Sequence, residues 1–211
     1  MNIIVFLLVA VGGLTMTMAL ARGLVRPAGG RWWAVVVPIL IGYGLLFATL
    51  PLPAVVTNLA VLAAGAAIAT TLSLSMSTTG SVIAFAVAAA AVDLWSFTDG
   101  ITRALLDRFG SGEASILRLL AITATIDGRT WAIAGIGDLA IGTAIFLGLT
   151  RAGFAAREVA AVLCASLAAA VAVGSLIGGA AGLPFFAVAA LGYTLLRPRL
   201  GRDGSDQAPD R

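Results

Sequence analysis

Seven apolar segments run through this chain, and each is close to the ~17–25 residues that an α-helix needs to cross a bilayer. They are residues 3–21, 33–50, 54–75, 81–98, 131–150, 158–178 and 183–197, the last being the shortest. Hydrophobic residues make up 60% of the chain and charged residues 11%, whereas soluble domains are about 45–50% apolar and about 25% charged. The sequence therefore predicts an all-α, polytopic membrane protein with about seven transmembrane helices.

The positions of the basic residues indicate how the chain is oriented in the membrane. The 13 basic residues are all arginines, and most of them cluster at the ends of apolar segments, which argues against a nucleic-acid-binding surface. With no His and a single Cys, Cys164, the chain cannot build a His/Cys metal site. We therefore expect no metal and no cofactor.

The arginine clusters also predict an orientation. With seven spans, three clusters share one side of the membrane: Arg22, Arg26 and Arg31; Arg151 and Arg157; and Arg197, Arg199 and Arg202. By the positive-inside rule that side is cytoplasmic, which puts the N-terminus outside and the C-terminus inside. The first segment has no basic region before it, so we expect a retained anchor. Arginine-only, alanine-rich usage points to a bacterial cytoplasmic membrane.

The longest connection, residues 99–130, falls outside on this topology. It carries four arginines, and four acidic residues match them in number. Because the positive-inside rule counts basic residues rather than net charge, this loop is the weakest point of the predicted orientation. Within it, residues 115–126 are apolar and rich in β-branched residues, which favours a strand or an interfacial segment. The tail, residues 201–211, is polar and predicted to be disordered.

Two acids lie inside predicted spans, Asp93 and Asp138. An ionisable group at bilayer depth costs about 2.5–3.5 kcal/mol on insertion scales, so such acids generally serve a function. Asp93 lies about five residues before the outer end of the fourth span and Asp138 about seven after the outer start of the fifth. At about 1.5 Å per residue both are expected roughly 8–10 Å below one face. Two carboxyls meeting there would share a proton, as an acid–base pair for hydrolysis requires.

Glycines and a proline accompany the acids. Gly135 and Gly137 leave no side chain beside Asp138, so a substrate backbone can approach it closely. Pro184 opens the seventh span after a glycine-rich stretch, at the same predicted face. Helix packing and an ordinary proline at a helix start remain the structural alternatives for these residues.

Together these residues resemble the GxGD intramembrane aspartyl proteases, presenilin and signal peptide peptidase. The GxGD motif matches Gly135-Ile136-Gly137-Asp138, the family's first aspartate matches Asp93, and its Pro-Ala-Leu motif matches Pro184-Phe185-Phe186. The resemblance covers about residues 81–197. It implies a three-helix N-terminal half, 1–80, and a catalytic four-helix half, 81–200.

The resemblance also implies a function. Asp93 and Asp138 would be a catalytic dyad that hydrolyses peptide bonds in transmembrane segments, with water and no cofactor. Gly135, Gly137, Pro184 and Phe185 would contact the substrate, and residues 116–123, including Leu119, would pair with it as a strand. The partners would be membrane-segment peptides and lipid, whereas the substrate's identity and the oligomeric state are not given by the sequence.

Two alternatives stay open. Val92 stands where the family has tyrosine, and Phe185 and Phe186 stand where it has Ala and Leu, so an inactive homologue that binds membrane segments is one alternative. The other is a proton-coupled transporter of small solutes, which would use membrane acids as relays.

Overall fold

The structure is a computed structural model. It describes residues 3–25, 33–49, 53–98, 100, 120–126, 129–177 and 181–197. Most of the loop at 99–130, with Leu119, and the whole tail at 201–211 lie outside the described residues.

Within the described residues the chain forms seven helices, one in each predicted apolar segment. Their bounds are α1, Ile3–Val25; α2, Trp33–Thr49; α3, Ala54–Ser73; α4, Thr79–Thr98; α5, Ile136–Arg151; α6, Ala156–Ile177; and α7, Leu183–Leu196. Four of them, α1, α3, α4 and α6, are long and apolar enough to cross a membrane. The other three have 17, 16 and 14 residues, which gives α7 a length of only about 21 Å.

The described residues are mostly helical, as predicted, and a short antiparallel hairpin accompanies the helices. Strand β1, Ala121–Ile126, pairs with strand β2, Arg129–Gly135. Residues 131–135 had been predicted as the start of the fifth span, but they form β2, so α5 begins only at Ile136. The local sequence explains this, since Thr130, Trp131 and Ile133 are β-branched or aromatic residues that favour a strand.

The strand alternative for residues 115–126 is thus confirmed for 121–126. The signal that would have revealed the second strand is Asp127-Gly128, the dipeptide between the two strands in the sequence. Asp-Gly between two β-prone runs is among the strongest short-range indications of a hairpin.

The core lies where α1 and α3 pack against α5. A side chain at Gly65 of α3 would meet Leu139 and the backbone of Ala140, and one at Gly142 would meet Phe186 and Leu14. Small residues at these crossings bring the helix backbones close together. Fully or almost fully buried side chains fill the rest of the core: Val61, Val82, Ile145, Leu149, Val159 and Leu163.

Contacts between helix ends define two ends of the bundle. The arginine end contains Arg22 of α1, whose guanidinium carbon lies 5.7 Å from the Phe146 ring centre. It also contains Arg151, which donates to the Ser73 carbonyl at the end of α3, and Arg197, whose Nε lies 3.7 Å from Glu158. The helix ends predicted to carry the basic loops therefore meet at one end of the molecule.

The acid end contains Asp93, Asp138, the start of α7 and the hairpin. Phe6 of α1 contacts Trp131 of β2 edge-to-face, with ring centres 5.9 Å apart. Asn58, near the start of α3, is hydrogen-bonded to Thr123 of β1. The starts of α1, α3, α5 and α7 thus meet at this end together with the last turns of α4.

Candidate active site at the acid end

Asp93 lies on α4, five residues before the last residue of that helix, as the sequence predicted. Its Oδ2 atom accepts a hydrogen bond of 2.9 Å from the backbone N–H of Leu183. The backbone of Gly182 is a second hydrogen-bonding partner of this carboxyl group. Asp93 is therefore bound to the backbone at the start of α7.

Asp138 lies in the first turn of α5, nearer the helix start than predicted because residues 131–135 form a strand. Its Oδ2 atom accepts a 3.2 Å hydrogen bond from the N–H of Gly135. This is the carboxylate half of a capping box, an arrangement that stabilises many helix starts. One oxygen of the Asp138 carboxyl group, Oδ2, thus serves as an ordinary helix cap.

The second oxygen of Asp138 lies against Gly182. A Cβ atom on Gly182 would lie 2.5 Å from Asp138 Oδ1 and 3.1 Å from Asp138 Cγ. Gly182 has φ −81° and ψ −36°, which any residue adopts. The glycine is therefore needed for the space that its missing side chain leaves to the carboxyl group, and conformational freedom does not explain it.

The two carboxyl groups meet at one short piece of backbone. Because Gly182 and Leu183 are consecutive, the Cβ position of Gly182 and the nitrogen of Leu183 are at most about 4 Å apart. Asp138 Oδ1 and Asp93 Oδ2 consequently lie within about 9 Å of each other, given their distances of 2.5 Å and 2.9 Å to those two points. The two acids also interact electrostatically.

Among the described residues, the surroundings of the acids contain backbone N–H groups and no cation. Among the described side chains, no arginine pairs with either carboxyl group, and Asp138 Oδ1 has no hydrogen-bond donor. In the same part of the chain, no cluster of three or more potential metal ligands occurs. The arrangement therefore brings two carboxyl groups to the same short stretch of backbone, Gly182 and Leu183.

The other predicted site residues surround the acids to different degrees. Gly135 begins α5 in an extended conformation, and a side chain at exposed Gly137 would meet nothing within 4 Å, which leaves an open approach there. Pro184 lies in the first turn of α7, and both it and Phe185 are partly buried. Phe186 is fully buried in the core beneath the site.

Residues 116–123, predicted to pair with an extended substrate, are described only from 120 onwards. Residues 121–123 begin β1, but the backbone N–H and C=O of Thr123 are both hydrogen-bonded to Asn58. At Thr123 the side of β1 that faces away from β2 is therefore already occupied.

Sequence reasoning missed two residues that the structure places at this end. Gly182 entered the prediction only as part of the glycine-rich stretch before Pro184, and Asn58 was given no role. The one available signal for Asn58 was its chemistry, since it is the sole amide side chain in a 20-residue apolar helix.

Comparison of the chain with models of known protein families, with curated protein sequences and with solved structures gave no match.

Proposed function

We propose that this chain is an intramembrane aspartyl protease that hydrolyses peptide bonds within transmembrane segments. The observation that carries the proposal is the convergence of Asp93 and Asp138 on the backbone of Gly182 and Leu183. Three separate parts of the chain supply this site, in the order of the three motifs of the GxGD proteases that they resemble. The GxGD motif itself is present, whereas Val92, Phe185 and Phe186 depart from the other two motifs. A purely structural role would favour a cation beside these two carboxyl groups, and the described residues supply none.

In this proposal Asp93 and Asp138 hydrolyse the peptide bond as an acid–base pair. One carboxylate takes a proton from a water molecule, which attacks the carbonyl carbon of the scissile peptide bond. The other carboxyl group, protonated, donates to the carbonyl oxygen as the tetrahedral intermediate forms. The first carboxyl group then donates its proton to the leaving amine, and the second takes a proton from a hydroxyl group of the intermediate. The C–N bond breaks, a carboxylic acid and an amine form, and one proton again remains on the pair. No cofactor takes part in these steps.

Gly137, next to Asp138 in the sequence, is exposed, and a side chain there would meet no described atom within 4 Å, so we assign substrate entry to this position. The hairpin offers an edge for an extended peptide, and each of its two strands has one side unpaired by the other. Asn58 occupies the outer side of β1 at Thr123, so among the described residues the outer side of β2 is the longer edge without a paired strand. Strand β2 leads directly into α5 and Asp138, so a peptide paired there would lie beside the acids.

The proposed orientation places the acid end outside and the arginine end in the cytoplasm of a bacterial cell, with all seven helices crossing the membrane. Single cysteines introduced on a Cys164→Ser background test it with a membrane-impermeant maleimide. Positions in loop 99–130 should label from outside, and positions in 22–32 only after permeabilisation. Labelling of both regions from the same side would contradict this topology.

Cleavage itself is the main test. Purified protein reconstituted into liposomes should cut single-span reporter peptides and incorporate ¹⁸O from labelled water into the new carboxyl terminus. Asp93→Ala and Asp138→Ala should each abolish this incorporation. Substantial cleavage by either variant would remove the pair from the mechanism, and wild-type protein that binds many reporters but cuts none would favour the inactive homologue.

A further inference from the structure

Asn58 joins the N-terminal helices to the hairpin in front of the acids. It lies in the first turns of α3, flanked by apolar residues on both sides in the sequence. Its Nδ2 atom donates to the Thr123 carbonyl at 2.8 Å, and its Oδ1 atom accepts the Thr123 N–H at 2.9 Å. One side chain thus satisfies both backbone groups of a single strand residue.

These two hydrogen bonds reproduce the pairing of a neighbouring strand. In an antiparallel sheet the N–H and C=O of one residue point to the same side and bind the same partner residue. A carboxamide carries the same donor and acceptor as a peptide group, so Asn58 takes the place of a third strand at this one position. Thr123 is only 4% exposed, so without Asn58 its N–H and C=O would lie buried and unpaired.

The Asn58–Thr123 contact lies at a point of the hairpin that affects the position of Asp138. The β1–β2 register shifts between Ile122 and Thr123, immediately beside the Asn58 contact. The extra residue is Ile133 on β2, between the partners of Ile122 and Thr123. A bulge bends and twists the strand that carries it, so β2 changes direction directly opposite the point at which Asn58 holds β1. Strand β2 ends at Gly135, whose N–H binds Asp138, and the hairpin's orientation is thereby coupled to that carboxyl group.

We propose that Asn58 is a positioning residue: by holding Thr123 it sets the hairpin against α3 and so fixes which peptide bond of a paired substrate reaches Asp93 and Asp138. This role rests on the proposed protease function, but the anchoring itself does not. The two parts therefore need separate measurements.

Hydrogen–deuterium exchange of the full chain in nanodiscs measures the anchor. In Asn58→Leu, which keeps the approximate volume but neither hydrogen bond, the amides of 121–126 and 129–135 should exchange about tenfold faster or more, while α5 and α7 stay protected. Thr123→Ala keeps both backbone hydrogen bonds and loses only the 3.5 Å hydrogen bond from the Thr123 hydroxyl to Asn58 Oδ1, so its hairpin should exchange much more slowly than that of Asn58→Leu. Thr57→Val, which removes a neighbouring hydroxyl bonded only to Pro53, is the matched control in α3.

Mass spectrometry of reporter products measures the positioning. Wild type, Thr57→Val and Thr123→Ala should cut at the same bond, whereas Asn58→Leu should spread its cuts over neighbouring bonds and lower kcat more than it raises KM. Unchanged hairpin exchange in Asn58→Leu, or loss of protection throughout the protein, would overturn the anchor. Faster hairpin exchange with an unmoved cleavage site would overturn the positioning role, and wild-type protein that cuts no reporter would overturn that role together with the protease function while the exchange result stands.

Discussion

The two ends of the bundle hold their carboxyl groups in different ways. At the arginine end, Glu158 accepts a hydrogen bond from the Tyr193 hydroxyl at 3.0 Å and lies 3.7 Å from Arg197. At the acid end, Asp93 and Asp138 receive only backbone N–H groups among the described residues, and they interact with each other. Glu158 has the partners of an ordinary structural acid, whereas the two aspartates have no such side-chain partner among the described residues, as the proposed catalytic pair requires.

The largest loss of cleavage rate should come from replacing either aspartate of the acid end. Asp93→Asn and Asp138→Asn should each reduce cleavage by at least about 10³-fold, and the double variant should be no worse, because groups that act as one unit are not additive. Initial rates with a fluorescent single-span reporter measure this. A double variant much slower than both single variants would show that the acids act independently.

The second-largest loss of activity should come from adding a methyl group at Gly182. Gly182→Ala places a Cβ 2.5 Å from the present position of Asp138 Oδ1, so the carboxyl group must move. A displacement of about 1 Å in a catalytic group can cost about 10²-fold in rate, and we expect a loss of that order in kcat. Gly192→Ala in the same helix is the matched control, because its Cβ would meet nothing within 4 Å. Equal activity of the two variants would contradict the close approach of Asp138 to α7.

A glycine in the core should behave differently from Gly182. The new Cβ in Gly142→Ala would lie 2.9 Å from the Phe186 ring and 3.3 Å from Leu14. Overpacking of this kind costs about 1–3 kcal/mol, so the thermal midpoint should fall. Gly182→Ala should change the midpoint less and activity more. If both variants affected only the midpoint, the distinction between core and site would fail.

The smallest effect should come from the arginine end. Glu158→Gln keeps an acceptor for Tyr193 but loses the charge facing Arg197, and exposed ion pairs of this kind contribute at most about 0.5 kcal/mol. Cleavage rate and thermal midpoint should both stay close to wild type. A large loss of cleavage would mean that the acid end is not the only site of chemistry.

Much of the fold follows from patterns within single segments. Each apolar segment contains one helix because hydrophobic length alone determines where a chain crosses a membrane. Residues 131–135 were assigned wrongly because their apolar character suits a strand as well as a helix, and short apolar runs do not distinguish the two. The meeting of the arginine-bearing helix ends was predictable from the alternation of spans.

The details of the site depend on contacts between distant segments. Asp93 and Asp138 could be identified individually because an acid in an apolar segment is costly. The roles of Gly182 and Asn58 could not, because each depends on a partner far away in sequence: Asp138 lies 44 residues before Gly182, and Thr123 lies 65 after Asn58. A glycine beside a carboxyl group across a helix interface has no signature in the local sequence.

The central claim is that Asp93 and Asp138 form one coupled pair, and infrared titration of their carboxyl bands tests it most directly. Bands recorded against pH in wild type, Asp93→Asn and Asp138→Asn, with isotope-labelled aspartate, report each protonation step. Wild type should lose its two protons in separate steps that belong to the pair, and each Asn variant should titrate in one step. Two aspartates that titrate independently, and alike in all three proteins, would show that the carboxyl groups do not meet, and a transporter with separated relay groups would then explain them better.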